Sequence, residues 1–295
     1  MTGVIRSARP SATVRAGFAW LTGRMFRRSF QCIRVTPAGA QRLQDAARYP
    51  GPLMIVGNHS SWWDPLVALH LAGAPLDRRP LCAPIEMRQY ERFGILRRLG
   101  LFGIDQHHPE ALSAMVAHVA DRAADQPRLL VCITPQGRFT DVRTPVRLRP
   151  GAAALASSLE ELRVLTCGIE YGFWQDKRPE VFLHFEICEI ENARQPSGPV
   201  AHTADWQRRL TRGLQATLDE LADGVKSRDP ARFVPLAGGP ARFRGPAVNP
   251  AYDLWLRLRG VGSRIEPAAG GSATSADRRG VPAGRGGRWA TGGRR

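Results

Sequence analysis

The sequence predicts an α/β fold: a mixed, largely parallel sheet flanked by helices. Three observations carry this reading. Short apolar runs are bounded by Pro and Gly, segments between them place apolar residues at helical spacing, and the two kinds of segment alternate along the chain.

The elements follow in order. From Val14 to Phe30 the residues Val14, Phe18, Trp20, Leu21, Met25, Phe26 and Phe30 recur roughly at helical spacing with arginines between them. This N-terminal amphipathic helix suits a membrane interface. It equally suits a helix that packs on the domain with its arginines solvated. Thr36-Pro37 reads as an N-cap followed by Pro at the first helical position, opening a helix to about Arg48 that Pro50-Gly51-Pro52 ends. Leu53 to Gly57 is a buried strand, followed by a helix from about Ser61 to Leu71. Pro80 to Ile85 is a strand, Met87 to Leu99 a helix and Phe102 to Ile104 a short strand. From Pro109 to Asp125, Leu112, Met115, Val116, Val119 and Ala123 share one helical face, and Leu129 to Ile133 is another buried strand. Pro150-Gly151 opens an Ala-rich helix to about Ser158, and Val164 to Ile169 and Val181 to Ile187 are strands. Trp206, Leu210, Leu214, Leu218 and Leu221 mark a late helix.

These elements divide the 295 residues into a basic amphipathic membrane-associating segment (1–35), a catalytic domain (36–229), a C-terminal extension (230–263) and a disordered Arg/Gly-rich tail (264–295). The extension contains one aromatic segment, Tyr252 to Leu258, able to dock on the body. Charge follows the same division. Of the formal +16, residues 1–50 carry +8, residues 264–295 carry +5 and the 213 residues between them only +3. Such a field favours anionic partners and says nothing about fold. Forty of the 42 basic residues are arginines, a bias that suits phosphate contacts and that a GC-rich coding sequence would also produce.

Composition excludes several classes. With 43% hydrophobic and 23% charged residues the chain is not disordered throughout. Its five cysteines form no CxxC pair, so neither a disulfide framework nor a zinc site is expected, and Cys82, Cys132 and Cys167 read as small core residues in a reduced compartment. No apolar stretch reaches spanning length, and arginines interrupt any signal-peptide core. His107 and His108 lack a third ligand nearby, so no metal site is read there.

The segment that carries chemistry is Asn58-His59-Ser60-Ser61-Trp62-Trp63-Asp64-Pro65, directly after a strand, where open α/β sheets build their sites. A His at such a turn can act as general base while an Asp five residues on accepts from its other ring nitrogen, and helix N-terminal amides nearby can meet an oxyanion. The bland alternative is a helix-capping Asp64 and a satisfied buried His59. Three further blocks follow: Gly100-Leu101-Phe102-Gly103-Ile104-Asp105-Gln106, Thr134-Pro135-Gln136-Gly137-Arg138-Phe139-Thr140 with Leu148-Arg149-Pro150-Gly151-Ala152-Ala153 downstream, and Val164 to Ile169.

In this order the four blocks resemble the phospholipid and glycerol acyltransferase family, of the 1-acylglycerol-3-phosphate acyltransferase kind, over about residues 30 to 225. The resemblance implies catalytic residues His59 and Asp64. It implies a substrate-binding set of Asn58, Trp62, Trp63, Asp105, Gln106, Pro135, Gln136, Gly137, Arg138 and Arg149. His59 would deprotonate a lipid hydroxyl, Asp64 would orient His59, and the oxygen would attack an acyl thioester directly. Acyl-CoA or acyl-ACP serves as co-substrate, with no other cofactor and no metal. The implied location is peripheral, on the cytoplasmic face of an anionic membrane. Gln106 and Gln136 stand where the family has an arginine and a glutamate that bind glycerol phosphate, which widens the acceptor to a lysophosphatidic acid-like or a neutral, glycosylated lipid alcohol. Arg138, Arg143, Arg147 and Arg149 could grip a phosphate or form a solvated loop; Arg138 and Arg149 are taken as functional. Trp62 and Trp63 line the pocket or pack the helix. Two competitors stand beside this reading, thioester hydrolysis at the same site and nucleic-acid binding through the Arg/Gly tail, though no recognition motif in the body supports a nucleic-acid partner.

Overall fold

Apolar runs without polar side chains for solvent become the middle of a sheet, and helices with one apolar face cover it. The computed structural model describes residues 3–159, 161–174, 177–188, 199–236 and 250–260; the expected tail lies outside them. In chain order the elements are β1 (Ile5–Arg6), α1 (Ala12–Ser29), β2 (Ile33–Val35), α2 (Pro37–Arg48), β3 (Leu53–Gly57), α3 (Asp64–Leu71), β4 (Leu81–Glu86), α4 (Met87–Arg92), α5 (Leu96–Leu99), β5 (Leu101–Ile104), α6 (Ala111–Asp125), β6 (Leu130–Ile133), α7 (Gly151–Ser158), β7 (Arg163–Gly172), β8 (Glu180–Ile187), α8 (Pro199–Ser227), β9 (Val234–Pro235) and α9 (Pro250–Leu258).

The strands form one sheet in the order β1-β5-β4-β6-β3-β7-β8-β2-β9. The five from β5 to β7 run parallel, β8 turns antiparallel to β7, and β2 pairs parallel with β8. The two-residue strands β1 and β9 close the edges in antiparallel register. The sheet is therefore mixed and largely parallel. β3 lies near its centre, so the turn that follows β3 emerges from the carboxyl end of a strand buried on both sides.

Period-two alternation along β3 divides the core. Leu53 and Ile55 face a cluster with Phe26 of α1, Leu43 of α2 and Leu66, Val67 and Leu71 of α3. Met54 and Val56 face the other way, toward Met115 and Val119 of α6, Ala152 and Leu155 of α7 and Leu210 of α8. Cys82, Cys132 and Cys167 are buried in these clusters, and burial raises each thiol; Cys82 and Cys132 are pushed up to about 12.

Several elements differ from the sequence expectation. The helix expected from Met87 to Leu99 is broken into α4 and α5 around Phe93-Gly94-Ile95, since glycine favours the helix interior least after proline. Strand β2, only three residues long, gave no periodic signal; its partner β8 supplies the pairing. The helix after β3 starts at Asp64 rather than Ser61, because Ser60 and Ser61 turn their amides toward the Asp64 side chain. The aromatic segment of the extension forms α9, on which Leu254, Trp255 and Leu258 are exposed.

Helix α1 packs on the body. Its N-cap Ser11 accepts from the Val14 amide, Phe26 is fully buried, and Phe26 and Phe30 stack around Trp63 with ring centroids 5.5 and 4.7 Å away. The opposite face carries Trp20, 66% exposed, with Leu21, Arg24, Arg27 and Arg28 also outward. Phe26→Ala removes the ring that joins α1 to Trp63. We expect a loss of about 3–5 kcal/mol, read as a lower urea midpoint with unchanged slope.

Candidate active site

The turn after β3 is held from two sides before its chemistry begins. Asn58, buried, donates from its side-chain amide to the Ile169 carbonyl (2.9 Å) and accepts from the Ile169 amide (2.8 Å). A side chain thus continues the β3–β7 ladder one step past Gly57 and aims the chain into the turn. The His59 peptide is then fixed at both ends by the 134–150 loop. Its N–H donates to Gln136 Oε1 (2.7 Å), and its carbonyl accepts from the Thr140 amide (2.7 Å). The Phe139 ring covers the imidazole with centroids 4.5 Å apart.

Asp64 is the centre of the site. It is 2% exposed, and four donors reach it. Oδ2 accepts from His59 Nδ1 (2.8 Å) and from the Ser60 and Ser61 amides (2.8 and 2.9 Å), while Oδ1 accepts from the Tyr171 hydroxyl (2.7 Å). A buried carboxylate needs such partners because desolvation without them costs several kcal/mol. Its demand for a donor sets the proton on Nδ1 of His59, which leaves Nε2 of the neutral ring with a free lone pair able to take a proton. The Ser60 and Ser61 amides are spent on Asp64, the Asp64 amide on the Ser61 carbonyl and the Trp63 amide on Ser61 Oγ. These amides are therefore not the oxyanion donors that the sequence suggested.

The other expected site residues fall into three places. Trp63 packs against Phe26 and Phe30, whereas Trp62 is 62% exposed and meets only the edge of Trp63 among the ring contacts found. Pro135, Gly137, Arg149 and Gln106 come together: the Arg149 amide donates to the Pro135 carbonyl (2.8 Å), and its guanidinium donates to Gln106 Oε1. Gly137 has φ +67°, the left-handed region that favours glycine, and a Cβ there would sit 2.7 Å from Arg149 Nε, so the guanidinium would have to shift. Asp105 is exposed and accepts from the His107 amide (3.1 Å), capping its own turn. The Arg138 side chain is exposed.

Three participants escaped sequence reasoning. Phe139 and Thr140 belong to a quoted block, but Phe139 acts through its ring and Thr140 through its backbone amide, a group that carries no side-chain signal. Tyr171 lies 107 residues from Asp64. Alternation along β7 was its signal, since Leu165, Cys167, Ile169 and Tyr171 share the face that packs toward α3.

Burial, and next the Asp64 carboxylate, pushes the Tyr171 hydroxyl above its ordinary value of 10.0. A phenol whose folded value is raised stays neutral in the fold, so its contribution is present below pH 10 and lost as pH rises beyond it. Above pH 10 the stability of the wild-type chain should fall more steeply than that of Tyr171→Phe, by up to about 1.4 kcal/mol per pH unit, in denaturation series at stepped pH.

No curated protein matches the chain. Residues 34–170 match the family model described as Acyltransferase, a stretch that contains His59, Asp64, Gln106, Gln136 and Arg149 and ends one residue before Tyr171. That match supports the acyltransferase family for this domain and acyl transfer as its general chemistry.

Proposed function

We propose that the chain transfers a fatty acyl group from an acyl-CoA or acyl-ACP thioester to the hydroxyl of a lipid alcohol at an anionic membrane surface. The observation that carries this reading is the His59 Nδ1 to Asp64 Oδ2 hydrogen bond of 2.8 Å, made by a carboxylate whose remaining partners are all donors. Nε2 of His59 takes the proton of the acceptor hydroxyl as its oxygen attacks the thioester carbonyl. The tetrahedral adduct collapses, the C–S bond breaks, and the thiolate takes the proton back from the imidazolium. The thiolate is a good leaving group, so one base suffices and no covalent enzyme intermediate is required. Asp64 acts through His59 by fixing its tautomer and orientation, and Gln136 and Thr140 position the same residue through its backbone.

Purified full-length chain with acyl-CoA and a panel of lipid alcohols should release thiol only when acceptor is present. His59→Ala should abolish that release, and Asp64→Asn should lower kcat by about 10²- to 10⁴-fold. Unchanged acceptor-dependent turnover in His59→Ala overturns the mechanism. Equal release without lipid identifies thioester hydrolysis instead.

Location rests on α1. Among the described residues no helix is long and apolar enough to cross a membrane. The outward stripe of Trp20, Leu21, Arg24, Arg27 and Arg28 has the composition of an interfacial surface, an aromatic that anchors at headgroup depth beside cations that attract anionic lipid. Deleting the segment would remove Phe26 and Phe30 from the core, so the test substitutes surface residues only. Trp20→Ala combined with Arg24→Glu and Arg27→Glu should reduce flotation with anionic liposomes at least tenfold at physiological salt. Undiminished flotation counts against this surface.

A further inference from the structure

Beside the catalytic turn lies an open cleft of about 420 Å³, within the usual size of a small-ligand site. One wall is Ser60, Ser61 and Trp63 from the turn; the facing walls are Asp141 and Arg143 from the 134–150 loop and Glu170, Tyr171 and Phe173 from the end of β7. Two of these wall residues, Ser60 and Ser61, follow His59 directly, and their amides bind the same carboxylate oxygen as its imidazole. Sequence reasoning marked none of Asp141, Glu170 and Phe173.

The walls have a definite chemistry. Arg143 is the single cation of the lining, and it is already paired, its amide donating to Asp141 Oδ1 (2.9 Å) and its guanidinium lying 3.3 Å from Oδ2. With two carboxyl groups and one guanidinium, itself paired with the Asp141 carboxylate, the lining carries no net positive charge to balance a phosphate dianion. Burial raises the Glu170 carboxyl above its usual range, and in either protonation state it can exchange hydrogen bonds with hydroxyls. Phe173 is 63% exposed at the rim, an apolar platform of the kind that the C–H face of a pyranose ring covers.

We infer that this cleft is the acceptor subsite and that it takes a neutral, hydroxyl-rich headgroup, as on a glycosyl lipid, rather than a phosphate monoester. The assignment rests on His59 being the base, because it is the base that requires the acceptor hydroxyl close to Ser60 and Ser61. Carboxyl groups of Asp141 and Glu170 accept from ring hydroxyls, the aromatic wall covers the apolar ring face, and one free hydroxyl is left to reach Nε2.

Binding and transfer are measured separately on full-length protein so that the subsite and the mechanism can fail independently. In calorimetric titrations below the micellar range, octyl glucoside should bind at least tenfold more tightly than octyl phosphate. Phe173→Ala and Glu170→Gln should each weaken the glucoside about tenfold. Glu170→Lys should move the preference toward octyl phosphate. In transfer assays, Phe173→Ala should raise KM for a monoglycosyl lipid alcohol about tenfold with kcat changed less than threefold. Tighter binding of octyl phosphate by the wild-type chain, or glucoside binding indifferent to Phe173→Ala and Glu170→Gln, overturns the subsite. Intact glucoside binding without any acyl transfer would instead sink the catalytic reading and leave a glycoside-binding cleft.

Discussion

A carboxylate buried next to a parallel sheet is the constraint around which this site is arranged. Asp64 has lost its water, and the fold returns four donors to it from two directions: three from its own turn and one from the end of β7. Each donor imposes something. For Ser60 and Ser61 to present their amides to one oxygen, the chain must curl tightly before α3 can begin, which is why the helix starts at Asp64 itself. For Tyr171 to arrive, β7 must continue past its pairing with β3. For His59 to satisfy the same oxygen it must donate, and that fixes which nitrogen is left to accept a proton. The tautomer is thus a by-product of solving a desolvation problem.

Two neutral amides do the remaining positioning. Asn58 behaves as a surrogate peptide, giving and receiving one hydrogen bond with Ile169, and Gln136 accepts from the His59 N–H. Their neutrality has a consequence. A second carboxylate at position 136 would face the same dry turn as Asp64 and compete for its donors, whereas an amide oxygen accepts the His59 proton without adding charge. Through Gln136 and Thr140 the 134–150 loop, which has no regular structure of its own, is tied to the His59 backbone that the sheet presents.

What the sequence disclosed follows the same physics. Leu53 to Gly57 and Leu129 to Ile133 were legible because strands buried on both faces must be apolar throughout, and α6 was legible because a half-buried helix must alternate at 3.6 residues. The His59–Asp64 pair was legible because both partners lie within one turn. β2, β1 and β9 were not, since two or three residues hold no period and their existence depends on a distant strand offering an edge. Tyr171 and the cleft walls at Asp141, Glu170 and Phe173 were hidden for the same reason: they meet the turn only after the sheet is assembled. The amphipathic pattern of α1 was compatible with a membrane face and with a core face, and the helix has both, Phe26 inward and Trp20 outward.

The site is also electrically divided, which net charge conceals. The 134–150 loop carries Arg138 and Arg149, the latter lying over Gly137 and bound to Gln106, and further on the Asp141–Arg143 pair, which lines the cleft together with Glu170. Under the proposed reading, with a neutral headgroup in this cleft, the phosphates of an acyl-CoA donor would find their counter-charge at the arginine side. The thioester carbonyl would then approach His59 from the side opposite the acceptor hydroxyl. Such an arrangement would separate the two proposed lipid substrates by charge rather than by shape. The +8 of the first fifty residues is a separate feature: Arg24, Arg27 and Arg28 lie on the outward face of α1, whereas Arg34 is paired with Glu180.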